Sequence, residues 1–235
     1  LASGRYIMLL SSDDNLLPET LEELTGCLDA NPQSVMAYAD VWYIDEHGTR
    51  SMKRSDSTYN PLAPANRRGN ILAALFRGNY IVGVTVMMRK QVLDRIGAFN
   101  EAPEYRLTHD YDLWTRHAME GPIEYVDKPL GEFRVHSTQI SGGGAYVEQT
   151  LRMVYDWQQR FKGAAEKESL AAHEADLYRQ LNRKYLREAR YTEAVRAWWA
   201  HCVKTHRPWL FPAVFSNILI WKRRQRLAKT KGIEF

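Results

Sequence analysis

Short apolar runs typical of buried strands alternate with helical patterns through the first 140 residues or so, and this alternation restricts the fold more than any other feature. Strand patterns occupy residues 6–10, 35–44 and 81–88. Helical patterns follow the first of these strands, from Pro18, and the third, from Lys90. Alternating strands and helices predict an α/β domain in which helices pack on a sheet.

A further helix and two further strands are predicted before the chain changes character. The helix covers residues 109–120 and ends at Gly121-Pro122, a pair that stops helices. The strands cover residues 123–126 and 133–136. Beyond Ser141-Gly142-Gly143-Gly144, a predicted flexible joint, almost every segment has helical periodicity.

Charge divides the chain at nearly the same place. Residues 1–150 carry 14 Lys and Arg against 20 Asp and Glu, a net charge of −6, whereas residues 151–235 carry 18 against 8, a net charge of +10. Such asymmetry predicts parts with different partners. We therefore expect three parts: an α/β domain over residues 1–141, a helical extension over residues 142–208 that is weakly tetratricopeptide-like, and a basic aromatic tail over residues 209–235.

Composition excludes several classes of protein. Cys27 and Cys202 are too few and too far apart for a disulfide scaffold or a thiolate zinc site. No apolar run approaches the length of about 18 residues that a transmembrane helix needs. The hydrophobic fraction of 45% and the charged fraction of 26% are those of a folded globular chain.

A polar segment, Ser11-Ser12-Asp13-Asp14, follows the first predicted strand. Open α/β sheets bind ligands at the carboxyl ends of their strands, where this segment would lie. Carboxylates there suit Mg²⁺ or Mn²⁺ held together with substrate phosphates. The alternative is that these residues cap and solvate the start of the helix at Pro18.

Asp110 falls in the first turn of the helix over residues 109–120, with Thr108 as the predicted N-cap. The helix dipole favours a carboxylate there and should lower its pKa. An ionised carboxylate beside a bound hydroxyl can act as a general base. Plain stabilisation of the helix N-terminus is the alternative.

Phe133-Arg134-Val135-His136 has the alternation of a strand, which puts Arg134 and His136 on one face. A guanidinium and an imidazole side by side suit a diphosphate and its metal ion. The alternative is a purely structural or surface histidine.

Four segments, in this order along the chain, resemble segments of the family 2 glycosyltransferases of the GT-A fold. They are Gly4 to Pro18, Ile96-Gly97-Ala98-Phe99-Asn100-Glu101, His109-Asp110-Tyr111-Asp112-Leu113-Trp114-Thr115-Arg116, and Phe133-Arg134-Val135-His136. The resemblance covers residues 1–141 and implies a GT-A-type mixed sheet. Because the family has a strand, a helix and another strand ahead of the position of Leu1, it also implies that the sheet is N-terminally incomplete here.

The resemblance assigns residues to a donor side. Asp13 matches the last aspartate of the family's Asp-x-Asp motif and, with His136, would hold Mn²⁺ or Mg²⁺ on the diphosphate of a nucleotide-sugar donor. Asp14 and Arg134 would support the same diphosphate. Ser11 replaces the first aspartate of the motif, which weakens the expectation of strict metal dependence.

The resemblance also assigns an acceptor side. Asp110 matches the catalytic base, which deprotonates the acceptor hydroxyl in a single inverting displacement. His109, Asp112 and Trp114 would contact the acceptor, a saccharide or a lipid-linked saccharide. The implied role is sugar transfer, as in cell-surface polysaccharide biosynthesis. Two alternatives stay open: a non-catalytic remnant or helical interaction module, and a metal-dependent phosphohydrolase that would use Asp13 and Asp14.

The tail over residues 209–235 joins aromatic and aliphatic residues to a basic cluster, Lys222-Arg223-Arg224-Gln225-Arg226. This pairing is typical of an interfacial segment on anionic lipid. We therefore expect a cytoplasmic protein, peripheral on the inner face of the membrane, with no nucleic-acid partner. A helix docked on the core with a solvated basic end is the alternative.

Overall fold

The structure, a computed structural model, describes residues 2–53, 67–136, 144–213, 216 and 218–223. The chain divides into two compact units, Leu1–Ser141 (unit 1) and Gly142–Phe235 (unit 2). Most of the long polar loop between residues 53 and 69, the glycine-rich joint before Gly144 and the end of the basic tail lie outside the described residues.

Unit 1 contains a mixed sheet of six strands: β1 (Tyr6–Met8), β2 (Asn15–Leu16), β3 (Met36–Ile44), β4 (Arg50–Lys53), β5 (Met87–Arg89) and β6 (Ile123–Arg134). Their order in the sheet is β1-β5-β3-β6-β2, with β4 beside β3. Strands β3 and β6 are parallel, and the other pairs are antiparallel. Its helices are α1 (Thr20–Ala30), α2 (Leu72–Leu75), α3 (Lys90–Ile96) and α4 (His109–Glu120).

The core of the unit forms where α1 packs on the middle of the sheet. Leu24 and Leu28 on α1 are fully buried against the small side chains Ala37 and Ala39 of β3 and against Leu130 of β6. Small residues on the strand let the helix approach the sheet closely. The leucine spacing of α1 predicts an apolar helix face. Leu24 and Leu28 form this face in the structure, whereas Leu21 is exposed.

The start of α1 differs from the prediction by two residues. The helix begins at Thr20, because the Thr20 hydroxyl donates to the main-chain oxygens of Leu17, at 2.7 Å, and of Leu130. These bonds tie the first turn to β6 and leave Pro18 in the preceding turn.

The strand predicted over residues 81–88 is wrong for most of its length. Gly83–Thr85 forms a 3₁₀ turn, and only Met87–Arg89 forms a strand. The Thr85 hydroxyl donates to the main-chain oxygen of Ala39 at 2.8 Å and accepts from its N–H at 3.3 Å. The Thr85 hydroxyl thus makes the hydrogen bonds with the main chain of Ala39 that the main chain of an adjacent strand would otherwise make.

The two strands predicted over residues 123–126 and 133–136 are also wrong, since β6 is one strand that ends at Arg134. It stays continuous because its register against β3 shifts around Asp40, which pairs with Pro129. The irregularity accommodates a proline that cannot donate to the ladder.

Unit 2 is helical, with α5 (Gly144–Arg160), α6 (Ala164–Arg187) and α7 (Tyr191–Lys204). Side chains fix α6 and α7 as an antiparallel pair: Asn182 donates to the main-chain oxygen of Ala194, and His201 contacts that of Ala175. Among the described residues, no helix combines the length and the apolar content needed to cross a bilayer.

Candidate functional site

The polar loop between β1 and β2 lies against the end of β6. Strand β2 pairs with β6, so that Asn15 lies opposite Glu132, and Asp14 directly precedes this pair. The main-chain N–H of Arg134 donates to Oδ1 of Asp14 at 2.9 Å. Asp14 is buried, and burial raises the pKa of its carboxyl group, partly offset by this hydrogen bond.

The guanidinium of Arg134 ties this loop to the turn that follows β3. It donates to the main-chain oxygens of Asp13 at 2.9 Å, of Asp45 at 2.8 Å and of Glu46 at 3.3 Å. The sequence predicts Arg134 as a phosphate contact and does not predict this organising role. Its three carbonyl partners lie on two loops that the pairing of β6 with both β2 and β3 brings together.

Asp13 and His136 lie side by side at the sheet edge. Nε2 of His136 is 3.2 Å from Oδ2 of Asp13, and the Asp13 side chain is largely exposed. One carboxylate and one imidazole fit a Mg²⁺ or Mn²⁺ ion that takes its other ligands from a diphosphate and water. Within the described residues, no group of three or more His, Cys, Asp or Glu side chains is arranged around a metal position.

Ser11 lies at the other end of the same loop. Its main-chain oxygen accepts from the N–H of Asp14 at 3.4 Å, and its hydroxyl also hydrogen-bonds the Asp14 carboxylate. The serine thus interacts with the buried aspartate, and the exposed carboxylate of the loop is that of Asp13.

Asp110 lies in the first turn of α4, as predicted, but its pKa shifts in the opposite direction to the prediction. Its Oδ1 accepts from the N–H of Tyr111 at 2.6 Å. Desolvation by burial raises the pKa of Asp110 and outweighs this hydrogen bond and the charge of His109, which lower it. The Thr108 side chain makes no cap hydrogen bond, which also departs from the prediction.

Asn79 is a neighbour of Asp110 that the sequence interpretation misses. Its Oδ1 accepts from the N–H of Ile81 at 3.1 Å, and its side chain hydrogen-bonds the Asp110 carboxylate. Because Oδ1 is engaged with Ile81, the amide NH₂ is the group that donates to Asp110. A polar residue directly before an apolar run, in Asn79-Tyr80-Ile81-Val82, is the signal that could have drawn attention to it.

One segment, residues 79–85 (the linking segment), lies between Asp110 and the strands next to the loop of residues 11–14 (the Asp13 loop). Asn79 contacts Asp110 at one end, and at the other end a Cβ on Gly131 of β6 would lie 2.9 Å from Thr85. Between them, Val82 and Val84 pack with apolar side chains of β2, β3 and β6, namely Leu16, Val41 and Phe133. The linking segment therefore contacts Asp110 at one end and packs against strands β2, β3 and β6 at the other.

The other three residues predicted to contact the acceptor differ in their burial and in their hydrogen bonds. Nδ1 of His109 is 2.7 Å from the main-chain oxygen of Arg106, so this nitrogen carries the proton. Asp112 is buried and accepts from Arg116 at 2.8 Å. Trp114 is buried, and among the described residues its indole N–H has no hydrogen-bond partner. Their contacts with an acceptor stay a prediction.

Arg116 lies one turn after Asp112 on α4 and pairs with it. Besides Asp112, its guanidinium donates to the main-chain oxygens of Ile96, Gly97 and Ala98, at 2.9, 2.9 and 2.7 Å. It holds the turn after α3 against α4, and so fixes the helix whose first turn carries Asp110.

Curated relatives of the chain are named glycosyltransferases. A Rickettsia felis protein named as an uncharacterized glycosyltransferase is 32% identical over 141 residues, which is 59% of this chain and 22% of that protein. The amylovoran biosynthesis glycosyltransferase of Erwinia amylovora is 24% identical over 147 residues, 61% of this chain and 51% of that protein. A Methanocaldococcus jannaschii protein, also named as an uncharacterized glycosyltransferase, is 24% identical over 136 residues, 57% of this chain and 43% of that protein.

The chain thus spans between about a fifth and about half of the length of these relatives. No protein-family profile matches it. The mixed sheet with its helices is compatible with an α/β fold.

Proposed function

We propose that unit 1 carries the metal and acceptor sides of an inverting glycosyltransferase that moves a sugar from a nucleotide diphosphate to a hydroxyl acceptor. The names of the curated relatives support sugar transfer in general. The observation that carries the finer proposal is the linking segment, which borders both the carboxylate of Asp110 and the strand that anchors the Asp13 loop.

On the donor side, Asp13 and His136 are the residues that would hold a divalent ion on the diphosphate. That ion would act as a Lewis acid for the charge that develops on the departing nucleoside diphosphate. Asp14 does not face solvent. Its hydrogen bond from the N–H of Arg134 instead fixes the loop to β6, and so fixes the position of the neighbouring Asp13, whose carboxylate is exposed.

On the acceptor side, the ionised Asp110 carboxylate takes the proton of the acceptor hydroxyl. The hydroxyl oxygen attacks the anomeric carbon, the bond from that carbon to the diphosphate oxygen breaks, and the nucleoside diphosphate leaves with the electron pair. The configuration of the sugar inverts. Burial raises the pKa of Asp110 towards the working pH, which makes the carboxylate a stronger base than an exposed aspartate.

The proposal is tested with the variant Asp110→Asn in the full-length protein, and with exposed Asp94→Asn on α3 as the matched control. Calorimetric titration with nucleoside diphosphates and Mn²⁺ should give unchanged affinity for both variants. Sugar transfer, or slow donor hydrolysis, should fall about 10²–10⁴-fold in Asp110→Asn alone.

Three results would contradict the proposal in whole or in part. Transfer by Asp110→Asn at the unaltered rate would remove the base assignment. The absence of any nucleoside diphosphate affinity in the unaltered protein would remove glycosyl transfer itself, whereas affinity that survives Asp13→Asn without change would remove only the metal-side assignment.

A further inference from the structure

The C-terminal segment of unit 2 runs back along α7. At its start, the indole N–H of Trp198 donates to the main-chain oxygen of Leu210 at 3.0 Å, and the ring of Trp199 packs edge-on against Phe211 with centroids 4.9 Å apart. Further along, Nζ of Lys222 lies 4.5 Å from the ring centroid of Tyr191, the first residue of α7. The segment therefore lies antiparallel to α7, with helical backbone over residues 218–223.

Large apolar side chains point outward from this pair. Leu219 is 68% exposed and Ile220 is 52% exposed, which makes two consecutive aliphatic side chains in contact with solvent. On α7, Trp199 is 47% exposed and Val203 is 45% exposed, one turn apart on the same face. We call these four residues the apolar surface of unit 2. The exposed pair Leu219 and Ile220 is the part of this surface that lies next to exposed basic residues.

Basic residues directly follow the apolar pair. Lys222 and Arg223 are exposed, and the sequence continues with Arg224-Gln225-Arg226. Residues 151–235 carry a net charge of +10, against −6 for residues 1–150. The partner of this surface must therefore supply both negative charge and an apolar environment.

We propose that the apolar surface of unit 2, together with Lys222 and Arg223, binds the headgroup region of an anionic phospholipid bilayer. Leu219 and Ile220 enter the boundary between headgroups and acyl chains, and the basic residues contact lipid phosphates. A nucleic acid would satisfy the charge but would leave the two aliphatic side chains in water.

The test is co-sedimentation of the full-length protein with two kinds of vesicle, phosphatidylcholine alone and phosphatidylcholine mixed with phosphatidylglycerol. We expect binding to the mixed vesicles that weakens as salt is raised, and little binding to the neutral ones. The double variant Leu219→Ser/Ile220→Ser should lower the partition coefficient on mixed vesicles by about tenfold or more, since each buried aliphatic group contributes to insertion.

Matched controls separate surface chemistry from folding. Leu21→Ser/Met119→Ser changes two comparably exposed apolar residues of unit 1 and should leave binding unchanged. Arg223→Gln should weaken binding at low salt by about fivefold and should reduce the salt dependence. Thermal unfolding of each variant verifies that it is folded. If Leu219→Ser/Ile220→Ser does not fold, the binding of Arg223→Gln to the two kinds of vesicle tests the proposal by itself.

Equal sedimentation with both kinds of vesicle would overturn the proposal, as would full binding by the folded double serine variant. Tighter binding to an RNA or DNA oligonucleotide than to the mixed vesicles would assign the basic residues to nucleic acid instead. None of these measurements depends on sugar transfer, so the result stands apart from the function proposed for unit 1.

Discussion

The main-chain N–H of Arg134 donates to the carboxylate of Asp14 at 2.9 Å, across 120 residues of sequence. The same arginine, through its guanidinium, holds the main-chain oxygen of the adjacent Asp13. One residue at the end of β6 thus binds both members of the Asp13-Asp14 pair, and it leaves the side chain of Asp13 directed to His136. The buried Asp14 carboxylate therefore anchors the loop, whereas the exposed Asp13 carboxylate is the one that a ligand can reach.

This division predicts different effects for two substitutions of Asp14. Asp14→Ala leaves the buried N–H of Arg134 without its acceptor and should lower the free energy of unfolding by about 1–3 kcal/mol. Asp14→Asn keeps an Oδ1 acceptor and removes a charge that burial disfavours, so it should be no less stable at neutral pH. Urea unfolding of the two variants at pH 7 measures the difference.

The pH dependence of the same variants supplies a second measurement. Because the pKa of Asp14 is raised above its ordinary value of 3.8 in the folded state, the folded protein holds this proton more tightly, and its stability falls as the pH rises through that interval. Asp14→Asn should lack this loss. An Asp14→Asn variant that unfolds as readily as Asp14→Ala at pH 7 would show that the carboxylate charge itself anchors the loop.

Asn79 should control the pH at which Asp110 becomes a base. Its hydrogen bond lowers the pKa of Asp110, so Asn79→Ala should raise that pKa further and move the acid limb of the kcat/KM profile to higher pH. Asn79→Asp, which adds a negative charge beside the carboxylate, should move it further still. A pH–rate profile of the three proteins measures the order.

Asn70→Ala is the matched control for this series. Its Oδ1 accepts from the N–H of Leu72 at 3.4 Å, in the same local geometry as Asn79 with Ile81. The control should leave the acid limb where it is. An acid limb that moves equally in Asn70→Ala, or that stays fixed in both Asn79 variants, would separate Asn79 from the protonation of Asp110.

The local pattern of the sequence predicts much of unit 1. The leucines of α1, the valine- and tyrosine-rich β3, and the ending of α3 at Gly97, with its φ of 83°, all follow from residue spacing and backbone preference. Alternation likewise predicts that Arg134 and His136 share a face, and both side chains contact Asp13. Each of these features depends on neighbours only a few residues apart.

The features that the sequence does not predict depend on distant partners. The apolar run from Ile81 turns at Gly83 because Thr85 bonds Ala39, 46 residues away. The pKa of Asp110 rises because tertiary burial outweighs its hydrogen bonds and the charge of His109. The donation by Arg134 to three carbonyls requires the β3–β6 pairing, which no local pattern encodes. Residue propensity and periodicity predict single helices and strands, whereas the contacts of the candidate site arise only when those helices and strands pack together.

Arg116 on α4 should contribute more to stability than Arg95, an exposed arginine on the neighbouring helix α3. Arg116→Ala would leave the buried Asp112 charge without its partner and remove three bonds to the turn after α3, at a cost of about 3–5 kcal/mol. Arg95→Ala breaks an exposed ion pair with Glu120 and should cost at most about 1 kcal/mol. Thermal unfolding of both variants compares them, and similar losses would mean that the Asp112 pair contributes no more than a surface ion pair.

Gly131 should be the position in β6 that tolerates a side chain least. A Cβ there would lie 2.9 Å from Cγ2 of Thr85 and 3.2 Å from the main-chain oxygen of Asn15, so Gly131→Ala must push the linking segment or the Asp13 loop away from β6. We expect a loss of about 1–3 kcal/mol in the free energy of unfolding, together with weaker nucleoside diphosphate binding. Gly26→Ala is the control, because a Cβ at that position of α1 meets nothing within 4 Å and should instead stabilise the helix by about 0.5–1 kcal/mol. Urea unfolding gives both values, and a Gly131→Ala protein as stable as the unaltered one would mean that β6 and the linking segment are not packed as tightly as these distances require.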